Sequence, residues 1–168
     1  IPRLIRACEA AMLWAEMVYL HTQYNEFDSA ALVMMQHSPS AWTSSGFTTV
    51  ITKAGNLDVM YKAIQFYIDE QPALLNDLLS VLAPKVESSR AIAVLRKAYG
   101  SEFGELGVLP MCKSYLLKVQ DANVPDVNNA LNDVLIAEES MDELQASMDA
   151  YDNFDQFALA RRLERHSL

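Results

Sequence analysis

Apolar residues recur at steps of three and four along nearly the whole chain of 168 residues. This spacing places them on one face of an α-helix and predicts a series of amphipathic helices. The clearest pair of apolar stripes flanks Pro72; its members are Leu57, Met60, Tyr61, Ile64, Tyr67 and Ile68 before the proline, and Leu74, Leu75, Leu78, Leu79 and Leu82 after it. The chain is therefore predicted to be built from helices throughout.

Pro72 decides how these two stripes are connected. A proline inside a helix costs about 3 kcal/mol, because it removes a hydrogen bond and clashes with the preceding turn, whereas the first helical position tolerates it. The sequence therefore favours two helices, with Pro72 opening the second, folded back on each other as a hairpin. A single kinked helix is the alternative interpretation.

In the first half of the chain, polar residues and glycine mark the predicted boundaries between helices. We expect a short turn near Asn25 between two packed helices, and a short helix over residues 47–54. Gly55 or Asn56 is expected to supply the left-handed residue that ends this helix. The β-branched residues in 48–52 leave a strand as the alternative there.

The second half of the chain carries further signals of helix ends. A loop of about ten residues is expected before Pro110; its glycines are Gly100, Gly104 and Gly107. Pro125 is predicted to start another helix. Ser140 and Glu143 have the spacing of a capping box, in which the two residues would cap the following helix reciprocally.

These signals predict an all-α fold with about ten or eleven helices of roughly 8 to 15 residues. Because nearly all connections are short, neighbouring helices are expected to form antiparallel hairpins, each covering the apolar face of the next. The expected architecture is an α-solenoid. The chain starts at Ile1 without methionine and reaches Leu168 within a predicted helix, so residues 1–168 are expected to be a segment of a longer solenoid.

Composition argues against several classes of function. The formal net charge is −9, with 22 acidic and 13 basic residues, so nucleic acid is not an expected partner. No apolar run approaches the ~20 residues of a membrane span and no leader opens the chain, which predicts a soluble, non-secreted protein without membrane insertion. Cys8 and Cys112 lack metal-binding spacing, so reduced, buried thiols are expected.

No catalytic residue, cofactor site or metal site is predicted. The three histidines lack partners at ligand spacing; they are His21, His37 and His166. Three aspartates near the end of the chain lack the glycine and glutamate of a calcium loop, so we interpret them as helix punctuation; they are Asp149, Asp152 and Asp155. A helical enzyme would also need a pocket with convergent polar groups.

Two charged segments receive structural interpretations. An acidic run is interpreted as a solvated helix start, with an acid–base pair as the alternative; its members are Glu138, Glu139, Asp142 and Glu143. The basic segment 160–166 is interpreted as complementing the macrodipole at the end of a helix, with a binding patch as the alternative.

Three long strings resemble the proximal leg of the clathrin heavy-chain family: "LWAEMVYL", "ITKAGNLDVMYKAIQFYIDEQPALLNDLL" and "SMDAYDNFDQFALARRLERH". The resemblance covers nearly all of the chain. It implies clathrin heavy-chain repeats, a right-handed superhelix of stacked antiparallel helix hairpins, with roughly one repeat and part of a neighbour in residues 1–168. It also implies a non-enzymatic part of the trimeric triskelion leg, which contacts clathrin light chain and other heavy-chain legs. The implied location is cytoplasmic, on coated pits and coated vesicles at the plasma membrane and trans-Golgi network.

The candidate partner contacts, for light chain or another leg, are Trp42, Lys62 and Gln71. The family commonly has a lysine at the position of Gln71, facing the acidic part of the light chain. The segment that follows Trp42 is also poorer in lysine than the family, and residues 94–110 contain a glycine-bearing insertion. Because an exposed charge contact contributes at most about 1 kcal/mol, we expect a weaker or less salt-sensitive light-chain contact. Without the resemblance, another α-solenoid adaptor or a vesicle-tethering subunit that binds peptides or helices fits the same pattern.

Overall fold

The computed structural model describes residues 2–98 and 104–167, and for Glu105 and Ser167 the backbone alone. Within these ranges the chain forms α-helices and short 3₁₀ turns and contains no strand, so the predicted all-α fold is confirmed. The chain divides into two compact units, Ile1–Asp69 and Glu70–Leu168, here called unit 1 and unit 2. Gly100, which was assigned to a predicted loop, lies outside the described residues.

Unit 1 is a set of short helices: α1 (Pro2–Ala10), α2 (Trp14–Gln23), α3 (Phe27–Gln36), α4 (Ser38–Ala41), α5 (Ser44–Lys53) and α6 (Leu57–Glu70), the last ending one residue beyond the unit. The helices α2 and α3 pack against each other across the predicted turn, in which Asn25 has a φ of 59°. The helix α3 then packs against α5. Fully buried side chains such as Phe47, Ile51 and Ile64 form the core, each contributing about 1.5–3 kcal/mol.

Unit 2 continues with α7 (Leu75–Leu82), α8 (Ser88–Arg96), α9 (Lys113–Val119), α10 (Pro125–Ala137), α11 (Met141–Ala150) and α12 (Gln156–Ser167). The helix α10 begins at Pro125 as predicted, and it packs against α8, α9, α11 and α12. Nine of its 13 residues are buried. It is therefore the central helix of this unit.

The chain between the two apolar stripes is divided at Pro72, which confirms two helices and excludes a kinked one. The helix α6 ends at Glu70, and Gln71 has non-helical dihedrals, with φ −135° and ψ 51°. A 3₁₀ turn at Pro72–Leu74 then leads into α7. The packing of α6 on α7 as a hairpin stays a prediction.

The threonine-rich segment is helical, as predicted, and the alternative strand is wrong. The Oγ1 atoms of Thr48 and Thr49 donate to the backbone oxygens of Ser44 and Ser45 at 3.0 and 3.1 Å. These bonds occupy the hydroxyls inside the helix, which lowers the cost of β-branched residues there. The side chain of Thr43 caps α5 by accepting from the backbone N–H of Gly46 at 3.2 Å.

Two predicted caps are wrong. Neither Gly55 nor Asn56 is left-handed; α5 ends in an extended residue, Ala54, and Asn56 instead accepts the backbone N–H of Asp58 at 2.9 Å at the start of α6. At α11 the side chain of Ser140 makes no cap hydrogen bond. The described residues contain twelve α-helices, above the predicted ten or eleven, partly because α4 is a single turn.

The glycine-bearing segment docks on the end of α8. After a 3₁₀ turn at Gly104–Leu106, Gly107 has a φ of 59°, and a Cβ atom there would meet the carbonyl oxygens of Leu95 and Arg96. The next residue, Val108, donates its backbone N–H to the oxygen of Leu95 at 3.0 Å. Glycine is therefore required at position 107 by both its backbone conformation and the close approach.

Both cysteines are reduced and buried, as predicted. Cys112 is fully buried in a 3₁₀ turn, and burial raises the pKa of its thiol from 9.0 to about 12. Within residues 2–98 and 104–167, none of the helices combines the length and the apolar character that crossing a membrane requires.

We expect Gly107→Ala to lower the free energy of unfolding by at least about 2 kcal/mol, because the left-handed backbone and the carbonyl contacts both oppose a Cβ atom. Gly55→Ala is the matched control. A Cβ atom at position 55 meets open space, so Gly55→Ala should raise the free energy of unfolding by up to about 1 kcal/mol, because alanine restricts the unfolded chain. Urea denaturation followed by circular dichroism measures both; equal effects of the two substitutions would contradict this assignment.

Cys112 should resist iodoacetamide in the folded protein at pH 8, because the thiolate is the reactive form and burial suppresses it. Mass spectrometry of the Cys8→Ser variant measures the reaction at Cys112 alone, with urea-unfolded protein as the control. The unfolded thiol ionises near pH 9 and the folded one near pH 12. The contribution of the neutral thiol to stability is thus complete below pH 9 and is lost as the pH rises through that window. Equal labelling rates in the folded and unfolded protein would disprove the burial of this thiol.

Candidate partner-binding surface

Trp42 lies in an aromatic cluster of unit 1. It follows α4 in an extended conformation, and its half-buried indole ring contacts three other rings. The centroid distances are 6.5 Å to Phe47, 6.1 Å to Phe66 and 5.9 Å to Tyr67. We call these four residues the aromatic cluster. The indole Nε1 is buried and has no hydrogen-bond partner among the described residues, so packing holds this side chain in place.

A groove of about 280 Å³ lies between α3 and α6. Each helix contributes residues at positions i, i+3 and i+4, which share one helix face; they are Leu32, Met35 and Gln36 from α3, and Lys62, Gln65 and Phe66 from α6. Leu32, Met35 and Phe66 are half-buried, whereas the amides and the ammonium group are more exposed. The groove therefore combines apolar walls with a polar rim, and we call it the α3–α6 groove.

Phe66 joins two of the three predicted partner contacts. Its ring belongs to the aromatic cluster with Trp42 and also lines the α3–α6 groove with Lys62. Unit 1 thus brings Trp42 and Lys62 to neighbouring parts of one surface. Lys62 is exposed, so its ammonium group can meet a carboxylate from a partner without a large desolvation cost.

Gln71 belongs to unit 2 and is half-buried. It precedes the 3₁₀ turn at Pro72, its side chain makes no cap hydrogen bond, and its backbone oxygen accepts the N–H of Leu74 at 3.0 Å. The local structure therefore does not depend on the amide group of Gln71, and other side chains can replace it.

Sequence reasoning missed an ion triad in unit 2. Arg96 of α8 and Arg162 of α12 each donate to Asp133 of α10, at 2.8 and 2.9 Å. The Asp133 side chain is only 8% exposed, so the two arginines replace the contacts with water that its carboxylate loses on burial. Arg162 belongs to the basic segment that was interpreted as a macrodipole effect, and that interpretation is incomplete. Arg162 and Arg96 lie 29 and 37 positions from Asp133 in the sequence, too far apart for a local sequence pattern to indicate the contacts.

The acidic run also has partners that sequence reasoning missed. Lys113 binds Glu138 and Glu143 at 2.9 and 3.0 Å, and the hydrogen bonds from Glu138 and then Glu143 raise the pKa of Lys113. Glu139 pairs with His166 at 3.3 Å. The run is exposed and leads into the first turn of α11, as interpreted, and Lys113 in addition connects α9 to the start of α11.

Of the three aspartates near the end of the chain, Asp155 acts as helix punctuation, as predicted, whereas Asp149 lies within α11 and Asp152 lies in the connection between α11 and α12. Asp155 accepts the backbone N–H of Ala158 at 3.0 Å at the start of α12, and Asp152 accepts a bond from the amide of Asn123 at 3.2 Å. Across the described part of the chain, no three histidine, cysteine or acidic side chains are grouped so as to hold a metal ion.

Trp42→Phe should cost less than about 1.5 kcal/mol of stability, because the ring packing is largely kept and the unpaired indole N–H has no bond to lose. Trp42→Ala should cost about 2–3 kcal/mol, because it removes the contacts with three rings. Urea denaturation followed by circular dichroism measures both variants. A loss as large for phenylalanine as for alanine would show that the indole N–H has a partner.

Comparison with known proteins places the chain in a family. A family described as "Region in Clathrin and VPS" matches residues 1–75 and 82–168. Over all 168 residues, the chain is 46% identical to clathrin heavy chain of Drosophila melanogaster, 46% to clathrin heavy chain 2 of Homo sapiens and 45% to clathrin heavy chain 1 of Oryza sativa. The chain spans about a tenth of the length of these relatives. It therefore belongs to the clathrin repeat family, whose fold class is the predicted α-solenoid.

Proposed function

We propose that the chain is a structural segment of a vesicle coat, part of a longer α-solenoid of the clathrin heavy-chain type. The observation that supports this most strongly is its similarity to clathrin heavy chains over its full length. The segment would act mechanically, as a rod of stacked helices that carries load and offers surfaces to other rods. No catalytic step and no cofactor is part of the proposal.

The α3–α6 groove suits an amphipathic helix from a partner. A helix presents apolar side chains at positions i, i+3 and i+4, which match the walls formed by Leu32, Met35 and Phe66. A carboxylate on that helix would meet the exposed Lys62 at the rim. Because the groove of about 280 Å³ holds only one or two side chains, a single contact of this kind would be weak, and coat assembly would depend on many acting together.

The proposed partners are clathrin light chain and the legs of neighbouring heavy chains. In the full-length protein, three heavy chains would form a triskelion and polymerise into cages. The proposed location is the cytoplasmic face of coated pits and coated vesicles at the plasma membrane and the trans-Golgi network, where the coat supports endocytosis and intracellular transport. The net charge of −9 argues against nucleic acid as a partner.

An α-solenoid adaptor or vesicle-tethering subunit is the second candidate. The matched family is shared by clathrin and VPS proteins, so the repeat by itself does not distinguish a coat rod from an adaptor. An adaptor would bind a peptide or helix through the α3–α6 groove without forming legs or cages. The two functions therefore differ in assembly and not in the chemistry of the groove.

Electron microscopy of the full-length protein tests the choice between them. Three-legged particles that close into cages at low salt would support the coat function, and monomeric rods under the same conditions would support the adaptor. Co-sedimentation with purified light chain gives the second measurement. Lys62→Glu should weaken this co-sedimentation if the groove is the contact, whereas the exposed Lys97→Glu serves as a charge-matched control outside the groove. Equal effects of both variants would indicate a general charge effect.

Gln71→Lys should increase the affinity for light chain by up to about fivefold, since one exposed charge contact contributes at most about 1 kcal/mol. It should also steepen the dependence of affinity on salt, because an added ion pair is screened by salt. Isothermal titration at several salt concentrations measures both quantities. Gln71→Met is the control, with a similar size and no charge. A steep salt dependence in the unmodified protein would contradict the proposed weak charge contact.

A further inference from the structure

Three charged side chains of α6 lie along one rim of the α3–α6 groove. Lys62 lines the groove, Asp58 lies one turn before it, and Asp69 lies one turn beyond the groove-lining Gln65. Because an α-helix turns by about 100° per residue, these three side chains fall within about 40° of one another around the helix axis. Along α6 the rim therefore presents an acidic, a basic and a second acidic group.

All three charged side chains are exposed, so a partner can reach them without displacing the core. The carboxylate of Asp69 accepts the side-chain amide of Gln65 at 3.0 Å, which places it beside the groove. A neutral amide does not cancel the negative charge, so this carboxylate can also meet a cation from a partner. Asp58 lies in the first turn of α6, where the helix dipole favours a negative charge.

The two helices that border the groove run in the same direction. Near their starts, Asp28 of α3 accepts the backbone N–H of Asn56 at 3.1 Å, and later turns of both helices line the groove together. A partner helix lying between them is favoured in the opposite direction, because antiparallel macrodipoles place opposite partial charges side by side. The direction of a bound helix therefore follows from the direction of α3 and α6.

We propose that the α3–α6 groove binds an antiparallel helix whose charged residues occur in the order basic, acidic, basic. The acidic residue faces Lys62, a basic residue seven positions before it faces Asp69, and a basic residue four positions after it faces Asp58. Apolar residues on the same helix contact the walls of the groove. A helix with another order of charges places like charges opposite each other, which selects against it. The inference rests on the proposed function for the choice of a helical partner, and adds the charge order that this partner needs.

Two labelled synthetic peptides of identical composition test the charge order. The first carries lysine, glutamate and lysine at the proposed spacing, with leucine and methionine on the groove-facing positions and alanine elsewhere. The second exchanges the glutamate with the first lysine, so that like charges face Asp69 and Lys62. At low ionic strength, fluorescence anisotropy should show that the first peptide binds at least about fivefold more tightly than the second.

Charge reversal in the protein provides the matched test. Lys62→Glu should weaken binding of the first peptide at least about fivefold, and replacing the glutamate of that peptide with lysine should restore the affinity. The exposed Lys97→Glu, outside the groove, makes the same change in net charge and should leave the preference for the first peptide unchanged. Affinities for Lys62→Glu are compared with those for Lys97→Glu, which removes the general effect of net charge.

Three results would overturn the inference. Equal affinities of the two peptides for the unmodified protein would show that the order of charges does not affect binding. Tighter binding of the second peptide would show that the proposed order is wrong. Binding of neither peptide would show that the groove does not accept a helix. Because no light chain or coat assembly enters this experiment, a protein that forms cages but binds neither peptide would keep the proposed coat function and lose this inference alone.

Discussion

The burial of α10 is the constraint on which unit 2 depends. This helix contacts four others, and its buried residues include Asn128, Asn132 and Asp133, whose polar groups lose contact with water. Unpaired polar groups in such positions are costly, and partners at fixed places meet this cost for Asn128 and Asp133, whereas Asn132 Nδ2 has no hydrogen-bond partner among the described residues. Asn128 is bound by the side chain of Asn123 and the backbone of Asn153, and Asp133 is bound from α8 and α12. Apolar packing therefore brings the helices together, and these polar contacts select their arrangement.

The helices themselves could be predicted from the sequence because their causes are local. Apolar spacing determined the stripes around Pro72, and the intolerance of helix interiors for proline determined their separation. The two cap predictions were wrong for a physical reason. The side chain of Asn56 accepts a hydrogen bond at the start of α6 and does not end α5. The carboxylate of Glu143 pairs with Lys113 of α9, and the side chain of Ser140 makes no cap hydrogen bond. A capping side chain can bind either the nearby backbone or a distant side chain, and the sequence pattern shows only the nearby partner.

The candidate surface was predictable in part. Trp42 and Lys62 were expected from a resemblance, but their connection through Phe66 and the contribution of Leu32 and Met35 depend on the fact that α3 and α6 line the same groove. Helical spacing shows that 32, 35 and 36 share a face, but it does not show which helix lies opposite. For the same reason the Asp133 triad could not be predicted. Arg96 and Arg162 lie 37 and 29 positions from Asp133, and no sequence pattern connects residues so far apart.

Because Phe66 both lines the α3–α6 groove and contacts Trp42, binding in the groove should change the fluorescence of Trp42. The benzyl ring that lines the α3–α6 groove also touches the indole of Trp42, while the other tryptophan, Trp14, is stacked on His37 with ring centroids 3.6 Å apart. A helix seated in the groove would press on Phe66 and change the surroundings of a chromophore that it does not touch. The emission of Trp42 thus offers an intrinsic optical signal of occupancy, available without attaching a dye.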